Sequence, residues 1–156
     1  MKKFLFVLAL TVFASCGDDD KEAENAETID YIALNETQIK EYVEANELNA
    51  IRSDSGLYYV IEEEGDGERP NATSDVTVAY KGYYLDGAVF DESRDEGITF
   101  NLQQVIAGWT EGITYFKEGG NGILLVPAAL GYGNFDNRGI PGGSVLIFEV
   151  NLIEVN

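Results

Sequence analysis

From Gly56 onward the apolar residues of this chain recur at every second position, and one segment breaks that rhythm. A period of two puts alternate side chains on opposite faces of a strand, so the stretch specifies a sheet. Leu57 to Ile61 form a first strand candidate, followed by the turn-rich loop E-G-D-G-E-R-P-N. Val76, Val78 and Tyr80 alternate with Thr77 and Ala79, and Tyr83 to Leu85 carry that strand to Asp86-Gly87, a hairpin signal. Phe100 and Leu102 flank Asn101 in another short strand. Ile106, Trp109, Ile113 and Phe116 then recur at helical spacing, which predicts one short amphipathic helix ended by Gly119-Gly120. Asn121-Gly122 reads as a turn into the apolar strand Ile123 to Val126. A Gly-, Asn- and Pro-rich loop spans 127–143, and Val145 to Val155 close the chain with Leu146, Phe148, Val150 and Leu152 on one face. The fold class that buries both sets of apolar faces is α+β, an antiparallel sheet wrapped around one short central helix.

Ahead of the sheet the character changes. Ile39, Tyr42 and Val43 share a helical face, and Asn35 with Gln38 three residues later reads as a capping box, so 35–52 are predicted as a short helical extension. Residues 1–16 read MKKFLFVLALTVFASC. Two lysines precede an apolar run of about ten residues, half of the roughly 20 that a membrane span needs, which fits a secretory signal. The stretch F-A-S-C-G resembles a bacterial lipobox, with Phe13 where Leu is usual. That resemblance implies cleavage after residue 15, acylation of Cys16, and an exported protein lipid-anchored in the bacterial envelope, most simply at the outer membrane. Residues 16–34 then read as the acylated cysteine and an acidic, disordered linker, and 53–156 as the main domain.

Composition narrows the chemistry. Ten basic residues against 28 acidic ones give a formal charge of -18, which repels phosphate backbones and argues against a nucleic-acid partner. There is no His and a single Cys, which excludes Ser–His and Cys–His nucleophilic catalysis, an intramolecular disulfide and any Cys/His zinc cluster. No calcium-loop motif occurs.

Four stretches, in order, resemble the FKBP-type peptidyl-prolyl isomerases. They are V-T-V-A-Y-K-G-Y-Y-L-D-G-A-V-F-D-E-S from Val76, F-N-L-Q-Q-V-I-A-G-W-T-E-G from Phe100, L-V-P-A-A-L-G-Y-G from Leu125, and G-I-P-G-G-S-V-L-I-F-E-V-N-L from Gly139. The resemblance implies a pocket lined by Tyr80, Phe90, Phe100, Val105, Ile106, Trp109, Tyr132, Ile140 and Phe148, with Asp91 as its main polar group. It implies Trp109 as a floor beneath the proline ring, and the Ile106 main-chain N–H and Tyr132 hydroxyl as holders of substrate carbonyls. It further implies proline-containing polypeptide clients, affinity for the macrolide inhibitors of the family, and no cofactor or metal.

The chemistry suits a chain without histidine. Rotation about an X-Pro bond crosses a barrier of about 18–20 kcal/mol set by amide resonance, and no bond to carbon is made or cleaved. An apolar pocket with a few fixed donors is sufficient in kind. Val105, Ile106, Trp109 and Phe148 also suit plain core packing. Asp91 and Tyr132 have no packing reason to be where they are and are the sharper candidates. Two departures from the family stand out: Glu96 occupies a place where many members carry a basic residue that pairs with the pocket Asp, and Ile98 is positioned to replace a pocket aromatic. Two other readings remain open on the same scaffold. One is a client-holding chaperone with weak turnover, using the 127–143 loop; the other is a ligand-binding surface lipoprotein.

Overall fold

The computed structural model describes residues 29–156. The expected signal, the Cys16 acylation site and the linker up to residue 28 lie outside the described residues. Helix α1 spans Tyr31–Ala45, strands β1 Ile51–Arg52, β2 Tyr58–Glu63, β3 Asp75–Tyr84, β4 Val89–Glu92 and β5 Ile98–Asn101 follow, then helix α2 Ala107–Gly112, β6 Asn121–Val126 and β7 Leu146–Val155. Single 3-10 turns at Ile113–Tyr115 and Ala128–Leu130 extend α2 and open the long loop. All strands join one antiparallel sheet in the order β1-β2-β6-β7-β3-β4, with β5 also paired to β3. This is the α+β arrangement expected from the alternation.

The period-two pattern sorts the core into two layers. Leu146, Phe148, Val150 and Leu152 of β7 point to the face that holds α2, with Leu57, Val76, Val78, Trp109, Ile113, Leu124 and Val126. Ile147 points the other way, with Tyr58, Val60, Ile123 and Leu125, and there Ile39 of α1 covers it. The sheet therefore has a helix on each face, and α1 is part of the packed body. Opposite consecutive residues of β3, β7 carries one extra residue at Ile153 and β4 one at Phe90, and such bulges bend the strand that holds them.

Three expectations need correction. Helix α1 begins a turn before Asn35, because the Asp30 carboxylate accepts from the N–H groups of Ile32 and Ala33 at 3.0 and 3.3 Å and caps it. Residues 31–34 are thus helix and not linker, and residues 51–52, assigned to the extension, already pair with β2. Asn35 does something else, described below. Gly119-Gly120 does not end the helix, which stops at Gly112 and its 3-10 turn. Asn121-Gly122 is no turn but the start of β6, paired with Asn151 and Val150. Gly122 is glycine because a Cβ there would collide with the Val60 carbonyl and come within 2.9 Å of the Phe116 ring.

Glu36 fastens α1 to the sheet. Its carboxylate accepts from the Tyr58 hydroxyl at 2.9 Å and Arg52 Nε at 3.1 Å, and pairs with Lys40 at 3.0 Å. Burial alone would raise its pKa, but the bonds from Lys40, Tyr58 and Arg52 together hold it below the ordinary 4.5. A carboxylate with a depressed folded-state pKa contributes stability that is present above the unfolded value and lost as pH falls through the folded one. Glu36→Gln is therefore expected to flatten the loss of stability below about pH 4.5 relative to wild type, read by denaturant midpoints across an acid series. Parallel curves for the two proteins would show that Glu36 carries none of that dependence.

Candidate active site

Strand β3 changes partner in its middle: residues 81–83 pair with β4 and 75–78 with β5. Tyr80 lies at the gap. Ser93 closes it, its N–H donating to the Tyr80 carbonyl at 2.9 Å and its Oγ accepting from the Tyr80 N–H at 2.9 Å. The Phe-Asp-x-Ser motif thus has a structural reason. Two residues on, Gly82 leaves room on the same face: a Cβ there would lie 2.7 Å from the Phe90 ring and 3.0 Å from that of Phe148. Tyr-x-Gly on β3 is the space into which Phe90 and Phe148 fold.

Helix α2 brings the next wall. Thr110 donates from its hydroxyl to the Leu102 carbonyl at 2.6 Å, tying the helix to the end of the β5 segment. Gly108 permits close approach, since a Cβ would sit 2.6 Å from Val126. Trp109 is thereby held with its indole edge-to-face against three rings: Tyr80 at 5.0 Å and 88°, Phe148 at 5.3 Å and 83°, and Phe100 at 5.6 Å and 81°. Such T-shaped contacts are the favoured aromatic geometry. Phe90 stands edge-on to Phe148 at 5.6 Å. Trp109 is 4% exposed, and its indole N–H has no hydrogen-bond partner among the described residues. Ile106 precedes the helix with extended backbone, φ -62° and ψ 151°, and no oxygen among the described residues accepts from its N–H.

The cavity above these rings measures about 450 Å³. Tyr80, Phe90, Asp91, Phe100, Val105, Ile106, Trp109, Tyr132 and Phe148 line it, nine of the residues singled out from the sequence. Two of its polar groups are paired: the Tyr80 hydroxyl donates to Asp91 Oδ2 at 2.7 Å. Burial first, and then this bond, hold the Tyr80 hydroxyl far above the ordinary 10.0, so it is a protonated donor at neutral pH. Glu96 does not line the cavity. Arg94 lies 3.9 Å from Glu96 on the open surface, and Asp91 takes Tyr80 as its partner instead.

Two sequence-derived candidates lie elsewhere. Ile98 is 44% exposed on β5, paired opposite Val78, and is not in the cavity wall. Ile98 shares the strand phase of Phe100, yet of β5 only Phe100 reaches the cavity wall. Ile140 is buried in the core cluster with Phe148 and does not line the cavity either. Conversely, Gln104 and Arg138 line the wall and were not singled out. The signal for Arg138 was present, since it is the only basic residue after Lys117.

The loop carrying Tyr132 and Arg138 is held at its base by α1. Asn35 is 1% exposed; its Nδ2 donates to the Gly143 carbonyl at 2.9 Å and its Oδ1 accepts from the Ala128 N–H at 2.8 Å. One helix side chain thereby joins both ends of the 127–143 loop. Gly143 is required beside it, because its φ is 77° and a Cβ would collide with the Tyr31 ring. Among the described residues no group of three or more His, Cys, Asp or Glu is placed to hold a metal.

The chain and its fold have relatives. A family model for FKBP-type peptidyl-prolyl cis-trans isomerases matches residues 66–153. The protein of that description named FkpA in Escherichia coli is 44% identical over 127 residues, 79% of this chain and 47% of its own length. The corresponding protein of Neisseria meningitidis is 42% identical over 106 residues, 65% of this chain and 38% of its own. This chain thus spans about half the length of the curated relatives it matches. The crystal structure of the Escherichia coli FkpA aligns with TM-score 0.71 at 43% identity, covering 80% of this chain and 61% of that one. A peptidyl-prolyl cis-trans isomerase from Pseudomonas syringae aligns with TM-score 0.72 at 27% identity, covering 81% and 93%.

Proposed function

This chain belongs to the FKBP-type peptidyl-prolyl cis-trans isomerases, and from that premise we propose that it accelerates X-Pro isomerisation in proline-containing polypeptide clients, as a folding factor of the bacterial cell envelope. The observation that carries the reading is the Trp109 indole, walled edge-on by three rings beneath an open cavity of about 450 Å³. That volume lies within the range of about 300–1,000 Å³ typical of small-ligand sites.

The chemistry is transfer and twist. The proline ring enters the cavity and rests on Trp109, while the preceding carbonyl leaves water. A planar amide is more polar than a twisted one, so an apolar wall disfavours the ground state more than the transition state. Tyr132 supplies a hydroxyl and Ile106 an uncommitted N–H to hold flanking carbonyls and keep the peptide in register. Asp91, fixed by Tyr80, gives the rim one oriented carboxyl group. Every proton stays where it began, and each ~1.4 kcal/mol of preferential stabilisation yields a tenfold rate gain.

The address belongs to the same proposal: export, acylation at Cys16, and attachment to the envelope membrane. A second reading is favoured by Phe135, which is 85% exposed on the loop that carries Tyr132. An apolar knob there is suited to holding an unfolded client, with turnover secondary.

The test is cis/trans exchange of a short Leu-Pro peptide, followed by NMR with and without the protein. Acceleration that a macrolide inhibitor of the family suppresses is the expected outcome. A folded protein that binds the peptide and leaves its exchange rate unchanged would favour the client-holding reading.

A further inference from the structure

Arg138 stands in the cavity wall on backbone that suits a different residue. Asn137 and Ile140 form an antiparallel bridge, with N–H to carbonyl distances of 3.0 and 2.9 Å in the two directions. Arg138 and Gly139 are then the two central residues of a hairpin turn, and both have positive φ, 51° and 87°. That is the type I′ pattern, which strongly prefers Asn, Asp or Gly at its first central position. Gly139 adopts it freely. Arg138 does so at a cost in strain, and strain of this kind accumulates where function requires a particular side chain. Among the described residues the only other non-glycine with positive φ is Glu47, just past the end of α1.

The guanidinium is also uncommitted. Arg52, Arg69 and Arg94 each pair with a glutamate, whereas among the described residues no carboxylate lies within salt-bridge distance of Arg138 and no acceptor takes its side-chain N–H groups. In a chain with 28 acidic and 10 basic residues an arginine without a carboxylate partner is conspicuous. Among the described residues it is the only cation lining the cavity, and the carboxyl group in the same wall, Asp91, is bonded to Tyr80.

We infer that Arg138 is a specificity-determining residue that takes the side-chain carboxylate of an Asp or Glu flanking the client's proline. The inference rests on the proposed use of the cavity for X-Pro segments. A guanidinium offers two parallel N–H donors that match a carboxylate, and an exposed loop tip leaves it free to turn toward the peptide. The charge of -18 repels an acidic client at long range, but that field is screened beyond about 8 Å at physiological salt, whereas a contact pair at the rim persists. Arg138 gives an acidic protein a local means of accepting acidic segments.

Trp109 is the single tryptophan of the chain and lies in the cavity wall, so its emission reports occupancy without requiring turnover. Two blocked peptides that differ only as Glu or Gln beside the proline, on either side of it, are titrated into wild type, R138N, R138G and R138K. Wild type is expected to bind the Glu peptide about three- to fivefold tighter, the scale of an exposed charge pair. R138N and R138G, which suit the turn better and should unfold at no lower temperature, are expected to bring the ratio to one or below, while R138K retains part of it. An equal Glu-to-Gln ratio in wild type and R138N, or no occupancy by either peptide, overturns the inference. Exchange rates of the same peptides by NMR separate the two claims. A Glu preference without turnover leaves Arg138 as a binding determinant and removes the isomerase reading; turnover without a Glu preference does the reverse.

Discussion

Asn35→Leu is expected to lower the free energy of unfolding by about 2–4 kcal/mol, because it orphans two buried backbone groups at once. The Ala128 N–H and Gly143 carbonyl are both bonded to the Asn35 amide, which is itself 1% exposed. Leucine keeps the γ-branched shape and offers neither partner, so each group bears the desolvation penalty of an unsatisfied polar atom. The measurement is the denaturant midpoint at unchanged slope. The same substitution should speed amide exchange selectively in 127–143, since the loop then loses both hydrogen bonds that this side chain makes to it. A loss of stability below about 0.5 kcal/mol would mean that water or a shifted loop replaces the amide and that α1 does not hold the site.

Trp109→Leu is expected to reduce peptidyl-prolyl turnover by at least about tenfold, equivalent to ~1.4 kcal/mol of transition-state stabilisation, in a protein that remains folded. The indole is the surface on which Tyr80, Phe100 and Phe148 converge edge-on, and no smaller side chain can meet all three. Truncation to alanine would add about 3–5 kcal/mol of cavity cost and confuse lost fold with lost function, which is why leucine is the sharper probe. A folded Trp109→Leu protein with wild-type turnover would assign the indole to the core alone.

The rings around Trp109 were legible because they obey two rules that need no tertiary knowledge. Tyr80 and Phe148 fall on the apolar phase of their strands, and Trp109 falls on the helical phase of 106–116. Other features depended on partners distant in the chain. Asn35 and Asp30 are both cap-forming residues, and local chemistry cannot distinguish the one that caps from the one that bonds residues 128 and 143. Asn121-Gly122 has turn-forming composition, but its glycine answers to the Val60 carbonyl across the sheet. Ile98 shares the phase of Phe100, so alternation alone could not separate them; its pairing with Val78 at the start of β5 leaves it 44% exposed and outside the wall. Arg138 has no periodicity to betray it, because its direction is set by the bridge between Asn137 and Ile140.

The order of the sheet also dictates when it can be completed. Strands β1, β2 and β6 form one ladder and β3, β4 and β5 another, and only β7 joins them. A ribosome that still withholds residues 146–155 therefore leaves two separate half-sheets with no backbone bond between their strands. Pairings of this sequence separation close slowly. Phe148 of the cavity wall lies on that last strand, so under vectorial synthesis the cavity is among the last features of the molecule to exist.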